Sequence, residues 1–358
     1  MATRVRSYSK INLGLAIGPV RADGFHALTT LYQTLALHDV VTVSARRAAK
    51  TRLSLTANHK FVPTDSRNTA WKMVERCLDR LGVTAEVEIA IEKNLPVQGG
   101  MGAGSANAAA ALIGLEHELG VALPGPARLE LAAEVGSDVP LFLLGGAVLG
   151  LGRGEQVVPL PDFPATACLV VVPEVGVSTP QAFRDWDAKQ GTGNRDQGVE
   201  KKAGLTAVIE HDRLRELSLA YASVYAEPGT SGIVFNLNPE SKQEDSGFQS
   251  GYGDDLAENT LLSLVRTGVE NDFEKVVFPA YPSLREIKHV LMGTDSEAPA
   301  LYAALSGSGS ALFGLYRSEA DARTAQQRIQ SAAFATGVRT FLTESLPRAT
   351  YWERMFAG

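Results

Sequence analysis

The chain is 358 residues long, enough for two domains, and its 45% hydrophobic and 21% charged content is that of a globular protein with a proper core. A formal net charge of -6 argues against a nucleic-acid partner, and no run approaches the ~20 apolar residues of a membrane span, so a cytoplasmic protein without a membrane partner is expected. Cys77 and Cys168 both sit in apolar-periodic segments, which excludes a disulfide framework or cysteine-based metal site and fits buried thiols in a reducing compartment.

The N-terminal stretch Arg4 to Ile17 reads as a strand interrupted by the polar set Ser9, Lys10 and Asn12. Its apolar run is broken by Asn12, Gly14 and Gly18, unlike a signal peptide. A lysine in a strand is usually a solvated face residue, and Lys10 alone does not say more. Arg21 to His26 has the Asp-Gly chemistry of a turn. Strands are predicted at 39–44 and 52–57, then a helix beginning near Asn68 with Trp71, Val74 and Leu78 on one face.

A strand at 85–91, alternating Val87, Ile89 and Ile91 with polar or small residues, runs through Lys93 into a glycine loop: Pro96, Val97, Gln98, Gly99, Gly100, Met101, Gly102, Ala103, Gly104, Ser105, Ala106. An Ala-rich helix follows to Leu119. Backbone N–H groups freed by glycine at a helix N-terminus can hold an anion, so the loop reads as a phosphate cradle. A flexible turn before a helix is the alternative. The loop lacks the Gly-Lys-Ser/Thr ending of a Walker loop, and no acidic residue sits where a dinucleotide fingerprint needs one.

A short helix is predicted at 127–135, then Gly136 to Pro140 leads into the apolar run 141–144. Ser137 and Asp138 there have the chemistry of a turn or helix cap. A glycine-interrupted hairpin (145–158), a proline cluster (159–164), a buried-type strand (167–172) and a helix from Thr179 carrying Phe183 and Trp186 follow. Residues 189–201 read as a polar linker and 227–255 as a polar excursion without assigned function. The last third alternates: a helix at 256–267, segments 271–278 and 283–291, apolar strands around a second glycine loop bearing Gly307 and Gly309, a helix at 320–335 and a strand at 338–344. The pattern predicts an α+β fold.

Two glycine loops, a lysine and an aspartate form a coherent set for phosphoryl transfer, which asks for held phosphates, neutralised charge and an oriented nucleophile. These segments, together with Arg21-Ala22-Asp23-Gly24-Phe25-His26 and Gly176 to Pro180 with Phe183, lie in one order over most of the chain. They resemble the superfamily of small-molecule kinases named for galactose, homoserine, mevalonate and phosphomevalonate kinases. Within it, the Asp-Gly-aromatic-His element is most similar to the members acting on a cytidine-diphosphate-linked methylerythritol.

The resemblance implies a ribosomal-protein-S5-like ATP-binding domain over 1–160 and a ferredoxin-like domain over 161–358, with the site between them. It implies ATP with Mg²⁺ and phosphorylation of the 2-hydroxyl of 4-diphosphocytidyl-2-C-methyl-D-erythritol, by a monomer or homodimer. Asp138 is then the base and Lys10 its partner. Phe25 and Phe183 would sandwich a cytosine ring and His26 would read its edge. Asn12 would touch the erythritol part, with Thr179, Gly307 and Gly309 beside the substrate, while Lys93 and Asn68 would lie near the ATP base or sugar. No Mg²⁺ ligand is implied. The chain departs from the pattern at Gln98, Ala103 and Ala106, where glycines or a serine are usual, and at Phe25, where tyrosine is frequent. Another superfamily kinase (for homoserine, mevalonate or a sugar) is the alternative that the Phe25/His26/Phe183 set weighs against. A non-catalytic relative would not need both Lys10 and Asp138.

Overall fold

A computed structural model describes residues 2–21, 23–97, 99–192 and 269–357. The helix expected at 256–267 and the polar excursion at 227–255 lie outside the described residues.

The frame of the first sheet is a long antiparallel pair, β1 (Thr3–Val20) and β2 (His26–Arg47). The turn expected before His26 closes it. β2 runs over 22 residues, whereas the sequence pattern showed a strand only at 39–44, inside its second half. Residues 29–35 of β2 are all buried, so both faces are covered and the alternation that marks a half-buried strand is absent. On its other edge β2 pairs with β4 (Ala85–Glu92) near one end and β5 (Ala147–Leu151) near the other. β3 (Arg52–Ala57) and β6 (Gln156–Pro159) complete the sheet at its two edges.

Three helices cover one face: α1 (Thr69–Leu81), α2 (Ala103–Leu119) and α3 (Gly125–Val135). α1 is amphipathic, burying Met73, Val74, Cys77 and Leu78, and it is capped by Asn68 at its start. α2 is buried on most of its circumference, and its run of alanines lets it lie close against the sheet.

The second sheet has the order β10 (Val338–Glu344), β7 (Ala167–Pro173), β9 (Leu312–Tyr316), β8 (Tyr302–Leu305), antiparallel throughout. On one face Leu169, Val171 and Leu312 pack beneath α4 (Thr179–Thr192), α5 (Glu274–Ala280), α6 (Pro282–Met292) and α7 (Glu319–Ser331). On the other, Val170 and Phe313 join Ile11, Leu31 and Leu35 of the first sheet in one apolar cluster. The architecture is thus helix–sheet–sheet–helix, the α+β class expected.

After β10 the chain returns to the first sheet. The short α8 (Arg348–Glu353) buries Tyr351, whose hydroxyl donates to the Phe142 carbonyl at 2.7 Å, and Arg6 N–H donates to the Met355 carbonyl at 2.8 Å. Among the described residues no helix is long and apolar enough to cross a membrane.

Candidate active site

The two glycine loops dock on each other. Gly100 has φ +77°, and a Cβ there would stand 2.0 Å from the Ser306 carbonyl oxygen, so only glycine fits. Ser306 Oγ donates to the Gly100 carbonyl at 3.0 Å, and Ala311 N–H to that of Gly99 at 3.2 Å. Gly102, at φ +70°, precedes the first turn of α2 and supplies no side-chain cap, which leaves that turn's N–H groups free of a side-chain acceptor. The loop therefore has the defined geometry of a cradle rather than a slack turn. Asn271, buried at the start of the segment leading to α5, braces the second loop by donating to the carbonyls of Leu305 (2.8 Å) and Gly307 (2.7 Å).

Lys10 joins this loop to the charged centre. Its N–H donates to the Met101 carbonyl at 3.0 Å, and its side chain is buried, with Nζ donating to Asn12 Oδ1 at 2.7 Å and lying 3.4 Å from Asp138 Oδ2. It is no solvated face residue. Asn12 is held in turn, its Nδ2 donating to Thr30 Oγ1 at 2.7 Å. Asp138 sits in the turn before a single 3₁₀ turn (Pro140–Leu143) and makes no capping bond there. Both carboxylate oxygens are used otherwise: Oδ2 faces Lys10, and Oδ1 accepts from the Tyr32 hydroxyl at 3.0 Å. Burial, then the Asp138 charge, raise the Tyr32 phenol well above its ordinary pKa, so it remains a donor.

Aromatic rings gather at the other end of the same cavity, which encloses about 410 Å³. Phe183 of α4 stacks on His26, with centroids 5.1 Å apart and planes 7° from parallel, and meets Phe273 edge-on at 5.0 Å. His26 Nδ1–H donates to the Gly18 carbonyl at 3.0 Å, while Nε2 lies 3.0 Å from Asp187 Oδ1. Phe25, 54% exposed, has the Arg153 guanidinium 5.0 Å from its ring. The ring facing Phe183 is therefore that of His26, while Phe25 lies against Arg153.

Two more cavities follow the glycine loop. One of about 500 Å³ lies along Gly99, Gly100, Ser178 and Gly309 and shares Gly100 and Thr179 with the first. The next, about 730 Å³, is bounded by Phe61, Pro96, Val97 and Arg339 and shares Gly176 with the second. Thr179 and Ser308 bridge the junction through their hydroxyls, 2.7 Å apart.

Of the residues expected from the sequence, Lys10, Asn12, Phe25, His26, Asp138, Thr179, Phe183 and Gly307 line the first cavity. Met101, Ala103 and Ala106 turn their side chains into the protein and present only backbone. Gly104 and Ser105 lie in the first turn of α2; Gln98 lies outside the described residues. Asn68 and Lys93 are engaged elsewhere. Asn68 Oδ1 accepts from Ala70 N–H and its Nδ2 donates to the Pro63 carbonyl, while the Lys93 ammonium is paired with buried Asp39. Tyr32, Arg153 and Asp187 escaped sequence reading. Tyr32 is opposite Asn12 across the strand pair, a relation carried by register rather than by a motif.

The chain matches the family described as the GHMP kinases N terminal domain over residues 68–146, and GHMP kinases C terminal over 254–335. It is 34% identical over 317 residues to a 4-diphosphocytidyl-2-C-methyl-D-erythritol kinase of Solibacter usitatus, covering 87% of this chain and 81% of that one. The namesake from Moorella thermoacetica is 33% identical over 341 residues, covering 95% and 98%. Among solved structures, a 4-(cytidine 5'-diphospho)-2C-methyl-D-erythritol kinase aligns with TM-score 0.62 at 23% identity, over 96% of this chain and 98% of that one. A homoserine kinase from Cytophaga hutchinsonii aligns with TM-score 0.62 at 19% identity, over 97% and 95%. The structural likenesses extend to both sheets and concern the fold alone.

Proposed function

The chain belongs to the GHMP kinases, and from that premise we propose that it transfers the γ-phosphoryl group of ATP to the 2-hydroxyl of 4-diphosphocytidyl-2-C-methyl-D-erythritol, releasing the 2-phosphate and ADP. The observation that carries the acceptor, beside the name its relatives bear, is that one cavity holds both the Lys10–Asp138 pair and the rings of Phe25, His26 and Phe183. Homoserine and mevalonate have no ring for such a set to stack on.

Asp138 takes the proton of the acceptor hydroxyl as its oxygen bonds to the γ-phosphorus and the bond to the ADP oxygen breaks, a role worth roughly 10²–10⁴-fold. Lys10 is a point charge between base and phosphate: Asn12 and Asp138 face two sides of its ammonium, and Gly307 of the second loop stands on another. Asn12, fixed by Thr30, presents its amide at the erythritol end. Backbone N–H groups from Gly99 to Ser105 hold the phosphates at the start of α2. The substitutions at Ala103 and Ala106 are compatible with this, because their side chains are buried and the backbone alone faces the cradle.

The nucleotide base and sugar occupy the cavity of about 730 Å³ between Phe61 and Val97 on one side and Arg339 on the other. Asn68 and Lys93 support that side by fixing the start of α1 and the entry to the loop. No group of three or more His, Cys, Asp or Glu fit to hold a metal occurs among the described residues. Mg²⁺ would then be carried mainly by the nucleotide's phosphates, with a few oxygens of the cradle beside it. When bound, the ion neutralises charge on those phosphates.

The test is coupled ADP release from Mg-ATP with 4-diphosphocytidyl-2-C-methyl-D-erythritol, homoserine and mevalonate as parallel acceptors. Turnover confined to the cytidyl compound is expected. Comparable turnover with either aliphatic acceptor would discard the ring set as a substrate site.

A further inference from the structure

Tyr32 carries no role in the scheme above, yet it touches both charged groups of the site. Its ring is buried at 2% exposure, its hydroxyl donates to Asp138 Oδ1 at 3.0 Å, and the Lys10 ammonium lies 5.5 Å from its ring centroid. A slot is built for it. A Cβ at Gly150 of β5 would stand 2.5 Å from Tyr32 Cε2, and one at Gly154 in the turn that follows would stand 2.4 Å from the hydroxyl. The β5–β6 hairpin thus leaves room for a phenol at this point and for little beyond it. Gly154, at φ +102°, also has the backbone conformation that keeps this wall free of side chains.

We propose that Tyr32 is a positioning residue for the phosphoryl-transfer step, acting through Asp138; the inference rests on Asp138 being the base. A carboxylate on a turn, with 31% of its side chain exposed, has two oxygens and a free χ2 rotation. Lys10 alone does not fix it, because an ammonium can donate to either oxygen from many directions. The phenol does. Its O–H is directional, it belongs to the central strand of the sheet, and its raised pKa keeps the proton on the tyrosine. With Oδ1 held by Tyr32, Oδ2 remains on the Lys10 side, where the acceptor hydroxyl must deliver its proton. A near-attack arrangement that depends on one oxygen pointing one way loses rate when that oxygen is free to turn.

Tyr32→Phe removes this bond and nothing else, since the ring still fills its slot. The measurement is a double-mutant cycle on kcat with Asp138→Asn, with KM for ATP and for the cytidyl acceptor recorded in each variant. The expected result is a fall in kcat of about tenfold for Tyr32→Phe, with both KM values within twofold of the parent. In the Asp138→Asn background, whose own kcat is lower by at least a hundredfold, Tyr32→Phe should cost less than twofold. A parental kcat in Tyr32→Phe beside an inactive Asp138→Asn overturns the positioning role alone. The same loss in both backgrounds also overturns it, because Tyr32 would then act on the fold and not on Asp138. A near-parental kcat in Asp138→Asn overturns the base assignment itself, and this inference with it.

Discussion

Lys93 and Asp39 meet as an ion pair shut inside the protein, with side chains 3% and 0% exposed. The other carboxylate oxygen accepts the N–H groups of Asn94 and Leu95, each at 2.7 Å. One carboxylate of β2 therefore fixes the backbone at the entry to the glycine loop. Replacing Asp39 by Asn leaves a buried ammonium without a counter-charge, a change that costs about 3–5 kcal/mol. A matching drop in urea-unfolding free energy is expected. Asp39→Leu combined with Lys93→Met, which removes both charges, should recover part of it. A loss under about 1 kcal/mol in the single variant would show that the pair does not hold this region together.

The contact between the glycine loops gives a second prediction. An alanine at position 100 would drive its methyl group into the Ser306 carbonyl, a backbone atom that can yield only if the loops separate. Gly100→Ala should raise KM for ATP and lower kcat, each by roughly tenfold or more, since a misplaced cradle loses ground-state and transition-state contacts alike. Gly120→Ala is the control. It has a comparable positive φ, +62°, at the C-terminus of α2, but open space around the added carbon. It should cost about 1 kcal/mol of stability and leave both constants unchanged. Equal kinetic effects in the two variants would mean that backbone strain, not loop docking, is what activity senses.

The sequence announced these loops because glycine patterns are local, and it announced α1 because its apolar spacing is local too. It did not announce the first half of β2 or the state of Lys10, for one reason. β1 and β2 are covered on both faces where they pair, so Ser9, Lys10, Asn12, Thr30 and Thr34 are interior residues in strands that read as half polar. Their polarity signals a built site, not a solvated face. The bonds that matter there join residues far apart in the chain. Asp39 to Lys93 and Tyr32 to Asp138 have no spacing for a motif to record. The ring set was legible as residues but not as an arrangement. Phe25 and Phe183 do carry aromatic character to one cavity, yet it is His26 that lies flat on Phe183.

That stacking makes Phe183 the ring whose loss is most informative. Phe183→Ala removes a face on which a planar base can lie, and base–aromatic stacking is worth about 1–3 kcal/mol by alanine substitution. KM for the cytidyl acceptor should rise roughly 5- to 100-fold, while KM for ATP should stay within twofold, because Phe183 lines the cavity on the Asp138 side and not the two along the glycine loop. Steady-state kinetics with each substrate varied in turn will decide this. An equal rise for both would show that Phe183 supports the fold of α4 rather than a substrate ring.

The two cysteines complete the expectations, and here the sign of the pKa shift sets the result. Burial pushes the Cys77 thiol up to about 12, with the nearby Glu116 carboxylate adding to the shift, and burial alone pushes Cys168 upward as well. The reactive species is the thiolate, and at pH 8 a thiol of pKa near 12 is ionised to only about one part in 10⁴, against about a quarter for an exposed thiol of pKa 8.5. Both side chains are also closed to solvent. The native protein should therefore give almost no reaction with an aromatic disulfide reagent over minutes at pH 8, and two thiols per chain after denaturation in guanidinium. Native labelling should follow local opening, so tightening the structure with ATP should slow it further at Cys77, which lies in α1 against α2. Prompt labelling of one thiol in the native state would mean that α1 or β7 opens far more readily than its packing indicates.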